Sequence, residues 1–151
     1  MASLTPIAVP AINTLLRVGN GASPETFTTI AFVNSITGPS LQGQVVDVTS
    51  MSTGIPWRQK LVTLLEGGEV NFKVFWQPMN ATHQNLLTLF NNRGIAGIAG
   101  APIDFQLVFP DQDASTYYFS GFVAAVKLSE DVADVIKADA TIQITGQVTY
   151  L

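Results

Sequence analysis

The chain has 151 residues, of which 12% are charged, with a formal net charge of −4 and a mean hydropathy of +0.32. That length suits a single domain, 1–151, able to bury roughly 70% of its unfolded surface, while a charge content half the usual ~25% points to surface withdrawn from water by self-assembly. Seven basic against 11 acidic residues exclude tight nucleic-acid binding, and the lack of cysteine excludes a disulfide frame or a thiolate metal site. The longest charge-free run, 26–46, is interrupted by Asn34, Gly38, Pro39, Ser40, Gln42 and Gly43 and cannot span a bilayer, so no membrane insertion is expected. Met1–Leu16 holds no basic residue, unlike a secretory leader, so synthesis and folding are expected in the cytoplasm.

Residues 1–11, with Pro6 and Pro10, read as an N-terminal arm, either disordered or docked on a neighbour. Ile12–Val18 predicts a first strand turned by Gly19-Asn20-Gly21. That turn lacks the third glycine of a dinucleotide loop, and Pro24-Glu25 follow it. Thr26–Ile36 reads as one threonine-rich strand that Gly38-Pro39 ends. Gln44, Val46 and Val48 then alternate with Val45, Asp47 and Thr49 as in a strand. A long loop, 49–66, carries Met51, Ile55, Trp57, Arg58 and Lys60 and ends in the apolar patch Leu61–Leu65. Gly67-Gly68 can supply the positive φ of a tight turn. Val70, Phe72, Val74 and Trp76 form an apolar strand face, backed by Glu69, Asn71 and Lys73.

Asn80–Asn92 is the predicted helix, capped by Asn80 and ended at Gly94, with His83, Leu86, Leu87 and Phe90 as its packing stripe. His83 is the one histidine, and a packing or hydrogen-bonding role suits it better than catalysis, because no nucleophile or second base lies at motif spacing. Gly94–Gly100 is a small-residue connection. A strand with Ile103, Phe105, Leu107 and Phe109 on one face follows Pro102. Asp111, Asp113 and Ser115 mimic the start of a calcium loop, but Thr116 holds its glycine position and Phe122 its glutamate position, so no metal is expected. Thr116–Ser129 is a strand with apolar residues on both faces, Glu130, Asp131 and Asp134 make an acidic turn, and the last strand sets Ala140, Ile142, Ile144, Val148 and Tyr150 against Thr141, Gln143, Thr145, Gln147 and Thr149.

Trp57 beside Arg58 in a long loop needs a cover, which is either the chain's own barrel or a neighbouring chain. Phe27-Thr28-Thr29-Ile30-Ala31, Ile36-Thr37-Gly38-Pro39-Ser40, Val46-Asp47-Val48-Thr49-Ser50, Trp57-Arg58, Leu65-Glu66-Gly67-Gly68-Glu69-Val70 and His83 follow one another in an order and spacing that spans nearly the whole chain. In this the chain resembles the tail tube (major tail) proteins of long-tailed, non-contractile bacteriophages. The resemblance implies a mainly β, sandwich- or barrel-like subunit with one helix packed on the sheet, a hexameric ring with a continuous inner β-barrel, and rings stacked into a virion tail tube through which DNA passes.

The family also implies tape-measure, terminator and distal tail proteins as partners, with DNA transiting unbound, and it shares its fold with the tube of type VI secretion systems. No cofactor is implied and no enzyme site is found, since the sequence has neither a metal cluster nor a nucleophile elbow. On this reading Trp57, Arg58, Lys60, Ile55 and Met51 touch another subunit or ring. Thr141, Gln143, Thr145 and Gln147, with Glu69 and Asn71, face the lumen. Six copies would carry 6 × −4 = −24, so phosphates would meet mostly like charge. Two alternatives are a secretion-type tube subunit and a monomeric ligand-binding barrel whose cavity is lined by Trp57, Trp76, Tyr117 and Tyr118.

Overall fold

A computed structural model describes residues 11–22, 24–51, 54, 56–94, 100–111 and 113–150. Its elements are strands β1 (Leu15–Gly19), β2 (Phe27–Thr29), β3 (Val33–Thr37), β4 (Gln42–Asp47), β5 (Lys60–Glu66) and β6 (Glu69–Phe75), helix α1 (Ala81–Asn92), and strands β7 (Ile103–Val108), β8 (Thr116–Ser129) and β9 (Lys137–Tyr150). Seven of the strands form one antiparallel sheet in the order β2-β1-β7-β8-β9-β6-β3. The other two, β4 and β5, pair only with each other among the described residues. The fold is mainly β with one helix among the described residues, as the sequence predicts.

The expected single strand over 26–36 is broken in two, and its halves lie at opposite edges of the seven-stranded sheet. Laid flat, such a sheet is roughly 29 Å across from first to last strand at ~4.8 Å per step. The link from Thr29 to Val33 spans at most about 14 Å, so the sheet must curl until its edges nearly meet. Two backbone bonds carry the closure: Ile30 N–H donates to Leu16 O (2.9 Å) and Phe75 N–H to Phe32 O (3.0 Å).

The start of α1 holds that break. Asn80 caps the helix by accepting from Thr82 N–H (2.9 Å). Thr82 Oγ1 in turn accepts from Ala31 N–H (3.2 Å), and His83 Nε2–H donates to Ala31 O (2.7 Å). Both backbone groups of Ala31 are thereby taken from any strand ladder. The chain turns at Phe32, whose φ of 61° is costly for a residue with a Cβ and persists because its neighbours are clamped.

His83 is fully buried, and Nδ1 accepts from Gln77 N–H (3.0 Å), which leaves Nε2 as the protonated nitrogen of a neutral ring. Trp76 stacks on it at 5.0 Å. The histidine is therefore a structural rivet with both nitrogens used. Leu86 and Leu89 complete the buried seam of α1, which packs beside β8. Leu89 lies outside the stripe that the sequence predicts. Leu87 and Phe90 belong to that stripe, yet both stay exposed in the single chain. The left-handed cap falls on Arg93 (φ 54°) rather than Gly94, and its N–H bonds back to Leu89 O and Phe90 O.

The core is a single cluster on the concave face of the sheet. Leu16, Val18, Val70, Phe72, Val74, Ile103, Phe105, Leu107, Ala140 and Ile142 are each no more than 3% exposed. Strict alternation delivers them: β6 reads exposed-buried throughout and β7 buried-intermediate. The first strand is shorter than expected, and Ile12 is exposed. Asp111, the false start of a calcium loop, instead ties its own turn, accepting from Ser115 N–H (2.6 Å) and Ser115 Oγ–H (2.5 Å).

Candidate assembly surfaces

Two surfaces stand apart from the core. The first is the arm made by β4 and β5. Lys60–Glu66, expected to lie inside the long loop 49–66, is strand β5, so the loop shrinks to 48–59 and the arm is a hairpin. Its register pairs Val45 with Val62, Val46 with Leu61 and Asp47 with Lys60 and, past a bulge, Gly43 with Leu65. Every residue of both strands is exposed. Neighbours along a strand point to opposite sides, so Val45 and Val46, like Leu61 and Val62, give the arm apolar side chains on both faces. Its outer edges are unpaired among the described residues. A two-stranded ribbon in water is marginal at best, and this one stays exposed along its length.

The arm is rooted where Gly67 and Gly68 turn it into β6. A Cβ on Gly67 would lie 2.6 Å from Ile144 Cγ2, and one on Gly68, whose φ is 71°, would lie 2.3 Å from Ser40 O. Only glycine lets the two layers approach so closely there. At the tip, Val48 N–H donates to Gln59 O (2.9 Å) and Gln59 N–H to Thr49 Oγ1 (2.8 Å). Asp47 accepts from the hydroxyl and the N–H of Thr49, and these two bonds, the hydroxyl's first, hold its carboxyl below the usual range. Arg58 reaches the same carboxylate only at 4.0 Å. Trp57 is 76% exposed, so its own barrel does not cover it, and Met51 is bare. Lys60 lies across from Asp47 on the exposed ladder. Ile55 lies outside the described residues.

The second surface is the convex face of the sheet, opposite the core. The register sets Glu69 beside Gln143, Asn71 beside Thr141 and Lys73 beside Asp139. On the other flank of β9, Phe122 faces Gln143, Ser120 faces Thr145, and Lys127 faces Asp139. Glu69, Asn71, Thr141, Gln143 and Thr145 therefore do share one face, and all but the half-buried Thr141 are exposed. Thr141 Oγ–H donates to Asn71 Oδ1 (2.7 Å), and Gln143 Nε2–H to Gly68 O (3.3 Å). Gln147 is exposed beyond a register shift in β9, where Gly146 has a φ of 81°. It borders a depression that also takes in Glu25, Asp104, Ser120 and Tyr118.

This face is not uncharged. β9 starts three residues before Ala140 and brings in Lys137 and Asp139. Four of the chain's seven basic residues, Arg17, Lys73, Lys127 and Lys137, lie here, against Glu69, Asp104 and Asp139 among the acids of the strands. The chain's excess of negative charge gathers in loops instead: Asp111 and Asp113 at one end of β8, Glu130, Asp131 and Asp134 at the other. A face dominated by like-charge repulsion of phosphate, expected from the net charge, is not what the register builds.

The aromatics proposed to line a ligand cavity are dispersed. Trp57 is at the arm, Trp76 is buried against His83, Tyr117 packs between Phe109 and Tyr150, and Tyr118 lies on the convex face. Among the described residues no group of three or more histidines and acids could hold a metal, and no helix is long and apolar enough to cross a membrane.

A family model described as lambda phage tail tube protein matches residues 13–150. The chain belongs to that family. It is a structural subunit of a viral tail tube and so a virion component rather than an enzyme. The family also decides between the two kinds of tube, in favour of the viral tail. A search of curated protein sequences finds no match.

Solved structures agree on the fold. The subunit is similar to a chain of the tail of an empty gene transfer agent particle (TM-score 0.75, 15% identity, covering 95% of this chain and 99% of that one). It is also similar to a chain of the sheath–tube complex of an extracellular contractile injection system (0.70, 14%, 96% and 92%). A third likeness is to the SPP1 tail tube (0.64, 8%, 95% and 78%).

Proposed function

We propose that six copies of the subunit close into a ring, that rings stack through the β4–β5 arm, and that the convex sheet face lines a channel for viral DNA. The observation that carries this is the arm, apolar on both faces, exposed along its whole length and, among the described residues, unpaired at both edges. Fully burying a Val or Leu stabilises by roughly 1.5–3 kcal/mol. Covering the half-exposed Val45, Val46, Leu61, Val62, Leu64 and Leu65 adds on the order of 5–10 kcal/mol per arm, comparable with an association cost of roughly 4–15 kcal/mol. Met51, Trp57, Arg58 and Lys60 extend that contact at the tip, and Ile55 belongs to the same segment.

A closed head-to-tail ring also pairs the free edges at β2 and β3. Six-fold symmetry is that of the similar gene transfer agent tail. Glu69, Asn71, Thr141, Gln143, Thr145 and Gln147 then face the lumen, and tape-measure, terminator and distal tail proteins bound the tube.

The lack of cysteine makes the lumen assignment testable. Tubes of Gln143→Cys subunits are treated with a small maleimide and with a polymer-linked maleimide too wide for the channel. The reading requires the small reagent to label throughout and the bulky one only at tube ends; equal labelling by both places Gln143 outside.

A further inference from the structure

On the convex face, three residues stand directly across from one another on adjacent strands: Lys73 on β6, Asp139 on β9 and Lys127 on β8. These are interior strands of the seven-stranded sheet, so the row projects from the middle of the face rather than from an edge where a ring neighbour would join. All three residues are exposed, and neither lysine has a carboxylate within ion-pair distance among the described residues. The remaining lysine nearby, Lys137, is held by Asp134 at 2.8 Å.

Beside Lys73, the side chains of Ser35, Thr37 and Asn71 line a depression of about 250 Å³. Asn71 uses its oxygen to accept from Thr141, which leaves its amide N–H groups as donors. The two lysines are two strand spacings apart, roughly 10 Å, close to the Debye length at moderate salt. They act on one anionic surface together.

Building on the channel reading, we propose that the Lys73–Asp139–Lys127 row is a phosphate contact, by which the tube wall weakly holds the backbone of passing DNA. The chemistry fits transient contact. Ammonium groups are point charges without the bidentate grip of a guanidinium, Asp139 between them offsets part of their field, and nothing on the row reads a base edge. Contact is therefore sequence-independent and easily screened. Repeated in every subunit, it gives the wall a band of cations at one level of the channel, apart from the Glu69 row four residue pairs along.

The test is fluorescence anisotropy of a short labelled DNA duplex titrated with full-length subunits kept below the assembly concentration, over a series from low to physiological salt. Wild-type subunits are expected to bind weakly at low salt. Lys73→Gln/Lys127→Gln should weaken binding at least about 5-fold and flatten the plot of log affinity against log salt by about two units, one per lost phosphate contact. Arg93→Gln, a cation outside this face, should change neither. The proposal is overturned if wild-type subunits do not bind at low salt, if the double variant binds like wild type, or if Arg93→Gln weakens binding equally. It is also overturned if the double variant loses only tube assembly, which would assign the lysines to a second copy. Maleimide labelling at Gln143→Cys judges the channel reading separately, because anisotropy on unassembled subunits does not depend on it.

Discussion

The barrel and the arm are built from the same residue types with opposite results. In β6, Val70, Phe72 and Val74 alternate with Glu69, Asn71 and Lys73, and the apolar set is at most 1% exposed. In β5, Leu61, Val62, Leu64 and Leu65 are all more than half exposed. The difference lies in what each strand has beneath it. A strand with a core on one side needs one apolar face, whereas β4 and β5 have two apolar faces and stay exposed in the subunit; on the reading proposed above, their partners come from other chains. On that reading the barrel is organised to fold alone and the arm to be completed by assembly.

The sharpest break of that comparison is a matched pair of truncations. Phe72→Ala should destabilise the subunit by about 3–5 kcal/mol, because it leaves a cavity in a closed core. Leu64→Ala on the arm should change subunit stability by no more than about 0.5 kcal/mol. Chemical denaturation of unassembled protein separates the two, and a large loss at Leu64 would mean that the arm already belongs to the core. Next comes the rivet. His83→Ala removes the Ala31 and Gln77 hydrogen bonds and the stack on Trp76, and should cost about 3 kcal/mol in the same assay.

Trp57→Ala and Arg58→Glu should shift the unfolding midpoint barely at all, within about 0.5 kcal/mol, yet stop tube growth under negative-stain microscopy. Normal-length tubes from either variant would remove the tip from the contact. The smallest effect concerns Glu25. Burial first, then its hydrogen bond with Asp104, holds its carboxyl above the usual value, despite the Gly21 N–H that favours ionisation. A raised folded-state pKa contributes stability below the unfolded value, and that contribution is lost as pH rises through the folded one. Glu25→Gln should therefore raise the melting temperature slightly at neutral pH and leave it unchanged in acid. A fall at neutral pH would show that the charged form is the one the fold needs.

The sequence makes the barrel legible where one residue's neighbours decide its face. β6, β7 and β9 follow from period-two alternation, and Asn80 announces its cap. Three features escape it for physical reasons. The break at Ala31 is caused by Thr82 and His83, 51 and 52 residues away, while the local pattern continues straight through. β5 is apolar on both faces and so has no alternation to read. In α1, Leu86, Leu87, Leu89 and Phe90 are all apolar, and only the position of β8 selects Leu86 and Leu89 for the interior. Trp57 was legible as a residue in need of a cover. In the subunit it stays exposed, and only the proposed assembly gives it a neighbour as cover.

The most direct test of the central claim is amide hydrogen exchange of the same protein, measured first as free subunits and then as assembled tubes. The account predicts slow exchange in β6 and β9 in both states, with β4 and β5 exchanging fast in the free subunit and becoming protected on assembly. Arm amides already as slow as those of the barrel in the free subunit, or still fast in the tube, would contradict it.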